Sequence, residues 1–263
     1  MSSIRGLVAD VVPSSFVDGP GNRYVVFLQG CTFNCLVCHN PHTIPTRPTD
    51  GARETDVDML VSDIARAAPF LSGVTVSGGE ATLQWEFVDE LFRRLADRAD
   101  TAHLTRLVDS NGDTEPEVWD VLARSMDGAM VDLKALDPDV HRYLTGRDND
   151  RVVASIRQLA ALGRLSEIRL LLVPEVNDTP DQLAATAAFI GDLGEAAAEV
   201  PVALLGFRRQ GARPVADRFR EATDDHLVAA AEVLAAHGID PDRIRGVQPE
   251  RYRASTTNGG GRR

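Results

Sequence analysis

An α/β fold of parallel strands, each followed by a helix, is what this sequence predicts, and three observations predict it. Short apolar, β-branched runs such as Arg23–Gln29 read as strands buried on both faces of a parallel sheet. Between them lie segments with apolar residues on one helical face, as in Val57, Leu60, Val61, Ile64 and Ala68. Six such strand–helix units are accommodated in 263 residues, fewer than the eight of a closed barrel.

In chain order, Ile4, Leu7, Val8, Val11 and Val12 form a strand or a loosely packed arm, and their periodicity does not decide between the two. Asp18-Gly19-Pro20-Gly21 is a tight turn, because its glycines accept positive φ and its proline presets the backbone. The first core strand, Arg23–Gln29, then delivers Gly30 and the Cys31–Cys38 segment to its C-terminal end, where (β/α) barrels place their active sites. Thr55 is the expected cap of the helix that follows.

A second strand, Val74–Ser77, ends in Gly78-Gly79-Glu80 and leads into a helix with Phe87, Val88, Leu91, Phe92 and Leu95 on its inner side. Arg106–Val108 is a third strand, and Asp109-Ser110-Asn111-Gly112 places small polar residues at its mouth. In the fourth, Gly128–Lys134, alternation sets Met130, Asp132 and Lys134 on one face. Two charges there are costly to bury without partners, which points to a polar ligand; a structural ion pair is the alternative. Helices at about 137–144 and 150–162 precede a fifth strand, Glu167–Pro174, in which Arg169 faces inward if Leu170 and Leu172 pack against helices; a surface arginine is the alternative. Thr179-Pro180 begins a helix that Gly194 ends, and Pro201–Leu205 is the sixth strand.

One domain over 1–252, with its core at about 15–206, and a polar, glycine-rich, disordered tail at 253–263 are expected. The net charge of −11 leaves no basic surface for nucleic acid. No apolar stretch approaches the roughly 20 residues needed to span a bilayer. Met1–Arg5 opens no apolar signal segment, so a cytosolic protein is expected.

All three cysteines, Cys31, Cys35 and Cys38, fall within eight residues. An odd, local set cannot form a disulfide framework; it can hold a soft metal or a cluster in a reducing compartment. A four-iron cubane needs four ligands, so three thiolates leave one position open to chemistry. Zinc completed by His39 or His42 is disfavoured because His39 directly follows Cys38. Cys35-Leu36-Val37-Cys38-His39 also fits covalent haem attachment, but that requires export.

The C-x3-C-x2-C spacing after a strand resembles the cluster loop of radical S-adenosylmethionine (SAM) enzymes. Asp18–Arg23 and Cys38-His39-Asn40-Pro41 are similar, more narrowly, to the activating enzymes of glycyl radical enzymes, and the likeness runs to about residue 205. The resemblance implies a partial (β/α)6 barrel of the TIM type, a 4Fe–4S cluster on Cys31, Cys35 and Cys38, and SAM chelated to the open iron. Reductive cleavage of SAM would give a 5′-deoxyadenosyl radical that takes hydrogen from a glycine of a partner glycyl radical enzyme. The electron would come from a donor such as flavodoxin or ferredoxin.

By the same resemblance Gly78, Gly79 and Glu80 bind the amino group of the SAM methionine. Asp109 and Ser110 match the family's D-T-N-G with serine for threonine, and Asp132 and Lys134 match its D-L-K. The resemblance also implies that Asp109 and Asp132 could jointly hold a monovalent cation near the cofactor carboxylate, and that Arg169 reaches the cofactor. Two departures stand out. Val37 replaces an aromatic residue that lies against the adenine, leaving only apolar contact, and Leu205–Pro214 replaces the P-Y-H-x-L-G segment. The second enzyme reading keeps SAM cleavage but acts on a small molecule or peptide, with Arg208, Arg209 and Arg213 receiving anionic groups. A third, an iron–sulfur sensor, needs neither Gly78-Gly79-Glu80 nor the Asp132/Lys134 pair.

Overall fold

The computed structural model describes residues 4–49 and 51–247, so the expected disordered tail at 253–263 lies outside the described residues. The chain divides into two compact units, Met1–Asn34 with Asn40–Val131, and Cys35–His39 with Asp132–Arg263.

The first unit holds β1 (Arg5–Ser15), β2 (Arg23–Leu28), β3 (Arg53–Asp56), α1 (Val57–Ala67), β4 (Gly73–Gly78), α2 (Trp85–Asp97), β5 (Thr105–Ser110), α3 (Pro116–Leu122) and β6 (Gly128–Asp132). Its strands run in the order β3-β1-β2-β4-β5-β6. The opening residues therefore form a strand, antiparallel to β2 and to β3. Neighbours from β2 to β6 are parallel, as their near-continuous apolar runs require. The cap of α1 is Asp56 and not Thr55: Asp56 is the last extended residue before Val57, and its carboxylate accepts from the Asp58 N–H at 2.8 Å.

Beneath this sheet, at the N-terminal ends of the strands, Arg23 is wholly buried. Its guanidinium donates to Thr75 Oγ1 (2.6 Å), the Val74 carbonyl (2.6 Å), Thr105 Oγ1 (2.9 Å), the Thr105 carbonyl (3.0 Å) and the Pro20 carbonyl (3.2 Å). Burial pulls its pKa down to about 10, opposed by the more distant charges of Asp127 and Asp18. One side chain thus ties the Asp18–Gly21 turn to β4 and β5, at the end of the strands opposite the cysteines.

The second unit holds α4 (Pro138–Thr145), α5 (Asp150–Ala161), β7 (Leu165–Leu172), α6 (Pro180–Gly191), β8 (Val202–Gly206), α7 (Asp224–Ala236) and β9 (Ile244–Arg245). β7, β8 and β9 are parallel neighbours. A capping box of Thr179 and Gln182 starts α6, with Pro180 at its first turn. The helix stops at Gly191 and not at Gly194; Gly194, at φ +67°, opens a separate 3₁₀ turn over Gly194–Ala197. The fold class is the expected one, α/β with parallel strands in open sheets, and all six expected core strands are present.

Candidate functional site

In the first unit the register of the parallel strands sets the site. Leu28 of β2 pairs with Gly78 of β4, and Val76 of β4 pairs with Val108 of β5, so the segments that leave these strands emerge side by side. Cys31 leaves β2 on a braced loop: the Gly30 N–H donates to the Thr43 carbonyl (2.8 Å) and the Cys31 N–H to the Ile44 carbonyl (3.1 Å). The Gln29 amide donates to the carbonyls of His42 (2.9 Å) and Pro45 (2.8 Å).

Gly78 and Gly79 are demanded by backbone approach at this end of the sheet. Gly78 has φ +121°, and a Cβ on it would lie 2.2 Å from the Leu28 nitrogen and oxygen. A Cβ on Gly79 would lie 2.1 Å from the Gly30 carbonyl oxygen. The Gly79 and Glu80 N–H groups donate to the carbonyls of Leu28 (2.9 Å) and Gly30 (2.7 Å), which locks the β4 exit to the start of the cysteine loop.

Glu80, 1% exposed, accepts four hydrogen bonds: from the Thr82 N–H (3.0 Å) and hydroxyl (2.7 Å), the Ser110 hydroxyl (2.8 Å) and the Asn111 N–H (2.7 Å). Burial raises its pKa, and these four donors oppose the shift. Ser110 is buried and spends its proton on Glu80, while Asp109 accepts from the Ser77 hydroxyl at 2.7 Å. Asn111, which the sequence marks only as one of several small polar residues at the mouth, has its Nδ2 3.6 Å from Cys31 Sγ and 3.1 Å from Thr32 Oγ1. The Phe33 N–H also donates to Cys31 Sγ, at 3.4 Å. Two N–H donors directed at one sulfur suit an anionic, metal-bound thiolate, so the donor set here fits a cluster ligand.

In the second unit Cys35–His39 is gripped from two sides. The Leu36 N–H donates to the Leu144 carbonyl at 2.8 Å. Arg213 Nη2 donates to the Cys35 carbonyl at 2.5 Å, and His39 Nε2 lies 2.7 Å from the Arg208 carbonyl, its ring stacked 5.8 Å from Phe207. Val37, 2% exposed, is packed among Leu144, Leu171, Val173, Phe207 and Phe219. Cys35 and Cys38 are half-buried. Burial pushes the Cys35 thiol up to about 11; Lys134 opposes the shift, and Cys38 and Asp132 add to it.

Asp132 and Lys134 form an ion pair at 2.7 Å, each charge meeting the other across one intervening residue. Arg169 pairs with Glu167 on the same strand, also at 2.7 Å. The arginines of the divergent loop turn toward backbone. Arg208 Nη1 donates to the Ala222 carbonyl (2.5 Å), and Arg209 donates to the Phe219 carbonyl (2.9 Å from Nη2). The residues on which a small anionic substrate would depend are thus engaged within the fold, and the loop serves as a latch on the cysteine segment. Nothing in its composition distinguished carbonyl-capping arginines from substrate-binding ones.

Replacing Arg213 by alanine removes a charged donor to Cys35, a bond of about 1.5–3 kcal/mol. A several-fold faster loss of iron to a chelator is the expected outcome in anaerobic protein; an unchanged rate would show that the latch is dispensable. Among the described residues no three His, Cys, Asp or Glu side chains are gathered around a single ion. A cubane distributes its thiolates over separate irons and needs no such single-ion cage.

The family model for the radical SAM superfamily matches residues 25–190. Pyruvate formate-lyase-activating enzyme of Staphylococcus aureus (strain USA300) is 34% identical over 238 residues, which are 87% of this chain and 94% of that protein. Among solved structures, a domain of pyruvate-formate lyase-activating enzyme from Bacteroides vulgatus ATCC 8482 aligns with TM-score 0.51 and 24% identity, over 64% of this chain and 96% of that one. A radical SAM methyltransferase from Sphaerobacter thermophilus aligns with TM-score 0.63 and 20% identity, over 86% of this chain and 66% of that one. At these identities the structural likenesses speak for the fold, and the fold is the expected partial barrel.

Proposed function

The chain belongs to the radical SAM superfamily, and from that premise we propose that it activates a glycyl radical enzyme. The observation that carries the reading is the 34% identity to the Staphylococcus aureus activating enzyme across 94% of that protein's length. When bound, a 4Fe–4S cluster and SAM supply an electron and a 5′-deoxyadenosyl radical, which takes a hydrogen atom from a glycine of the partner.

The residues of this chain hold and orient that chemistry. Cys31, Cys35 and Cys38 are the cluster ligands, on a loop braced by Gln29 and Arg213. The backbone of Gly78 and Gly79 would receive the SAM amino group, with the buried carboxyl of Glu80, held by its four donors, behind it. Ser110 and Asn111 are set at the mouth by their bonds to Glu80. Lys134, which pairs with Asp132, and Arg169, which pairs with Glu167, would supply the cationic contacts to the cofactor. Asp109 and Asp132 would hold a monovalent cation, and Val37 would give the cofactor apolar contact only. A single catalytic domain over 1–252, a flavodoxin or ferredoxin as reductant and a cytosolic setting complete the proposal. Among the described residues no helix is long and apolar enough to cross a membrane.

The test is electron paramagnetic resonance of the partner. Incubated anaerobically with reductant, SAM and a glycyl radical enzyme from the same genome, the reconstituted chain is expected to produce a glycyl radical doublet that needs all three. SAM consumption with no protein radical would move the assignment to a small-molecule or peptide substrate.

A further inference from the structure

Building on the proposed cluster, we infer that Asn111 is a positioning residue that sets the cluster's reduction potential through a hydrogen bond to the Cys31 thiolate. The geometry leaves its amide one orientation. Oδ1 accepts from the Asp113 N–H at 2.8 Å, so the NH2 end faces Cys31 Sγ at 3.6 Å and Thr32 Oγ1 at 3.1 Å. The backbone is fixed as well, because the Asn111 N–H donates to Glu80 at 2.7 Å and Glu80 is itself tied to Thr82 and Ser110. At 7% exposure the donor is sheltered from competing water. A buried carboxylate, a buried hydroxyl and a locked amide together aim one N–H at one sulfur.

Hydrogen bonds to cluster sulfurs are among the levers that set iron–sulfur potentials, since they withdraw charge from the thiolate and favour the state carrying the extra electron. One electron enters the cluster before SAM is cleaved, with no proton in that step, so a donor on Cys31 makes the first event of the reaction easier. The Phe33 N–H contributes from the backbone and persists in any side-chain variant. Asn111 is therefore the adjustable part of this donor pair.

The experiment compares the full chain with Asn111→Leu and Asn111→Ser, all reconstituted anaerobically without SAM and titrated with dithionite and redox dyes while the reduced cluster is followed by electron paramagnetic resonance. Both variants should keep the parent's iron and sulfide content. Their ratio of reduced to oxidised cluster at a fixed potential should fall about threefold to tenfold, the size of one hydrogen bond. Full occupancy with an unchanged potential overturns the inference. Should either variant lose its cluster, the parent decides. With asparagine side-chain amides labelled with 15N, a nitrogen coupling on the reduced cluster upholds the contact, and its absence overturns it. A parent chain that assembles no cluster overturns the underlying functional reading, and the inference with it.

Discussion

Cys31→Ser, Cys35→Ser and Cys38→Ser are each expected to lower bound iron and sulfide by at least about tenfold, with no partial case among the three. These are the chain's only thiols, so no other cysteine can take over a lost ligand. A serine hydroxyl is a harder donor and ionises far less readily, and its oxygen cannot match the softness that selects iron–sulfur clusters. Cys35 sharpens the case. Burial pushes its thiol up to about 11, so a metal ion would have to supply the charge that favours the thiolate. Iron and acid-labile sulfide per chain, measured after anaerobic reconstitution, are the check. One variant retaining the parent's full content would remove that cysteine from the ligand set.

Arg23→Leu should destabilise the first unit by about 1–3 kcal/mol for a buried acceptor left without its donor, against a total stability of about 5–15 kcal/mol for an ordinary domain. Leucine fills part of the volume but leaves the carbonyls of Pro20, Val74 and Thr105 without their shared donor. Arg23→Lys keeps the charge and loses the fork, so it should fall between the two. Urea unfolding of cluster-free protein tests this, with the midpoint dropping at an unchanged slope. A leucine variant as stable as the parent would show that the network contributes nothing net.

Residues 18–23 show what sequence can and cannot disclose. The turn chemistry of Asp18-Gly19-Pro20-Gly21 and the apolar strand after it were legible, because local conformational preference and pattern determine both. The task of Arg23 was not, since it depends on Thr75 and Thr105, which come close only when β2, β4 and β5 align. The same distinction runs through the site. Three clustered cysteines suggest a metal-binding loop by spacing alone, which the proposed function takes up, and Gly78-Gly79 declares a close backbone approach. That the backbone approached is β2 itself, at Leu28 and Gly30, is a fact of strand register.

Asn111 and Arg213 were hidden for a related reason. Each acts on the cysteine loop across a long sequence separation, one through a side-chain amide and the other through a guanidinium on a backbone carbonyl. Periodicity carries no such information. The cap of α1 and the end of α6 were misplaced by one and three residues because Thr55 and Gly194 have the right chemistry, while Asp56 and Gly191 hold the right backbone positions.

Hydrogen transfer tests the central claim most directly. A partner glycyl radical enzyme carrying deuterated glycine, incubated with this chain, SAM and reductant, should pass deuterium into the 5′-deoxyadenosine released, in proportion to the glycyl radical formed. Hydrogen abstraction needs the donor within van der Waals reach, so the label can come only from what the site holds. Deoxyadenosine left unlabelled by the deuterated partner, with no glycyl radical, and labelled in a separate incubation by a deuterated small metabolite would contradict the account.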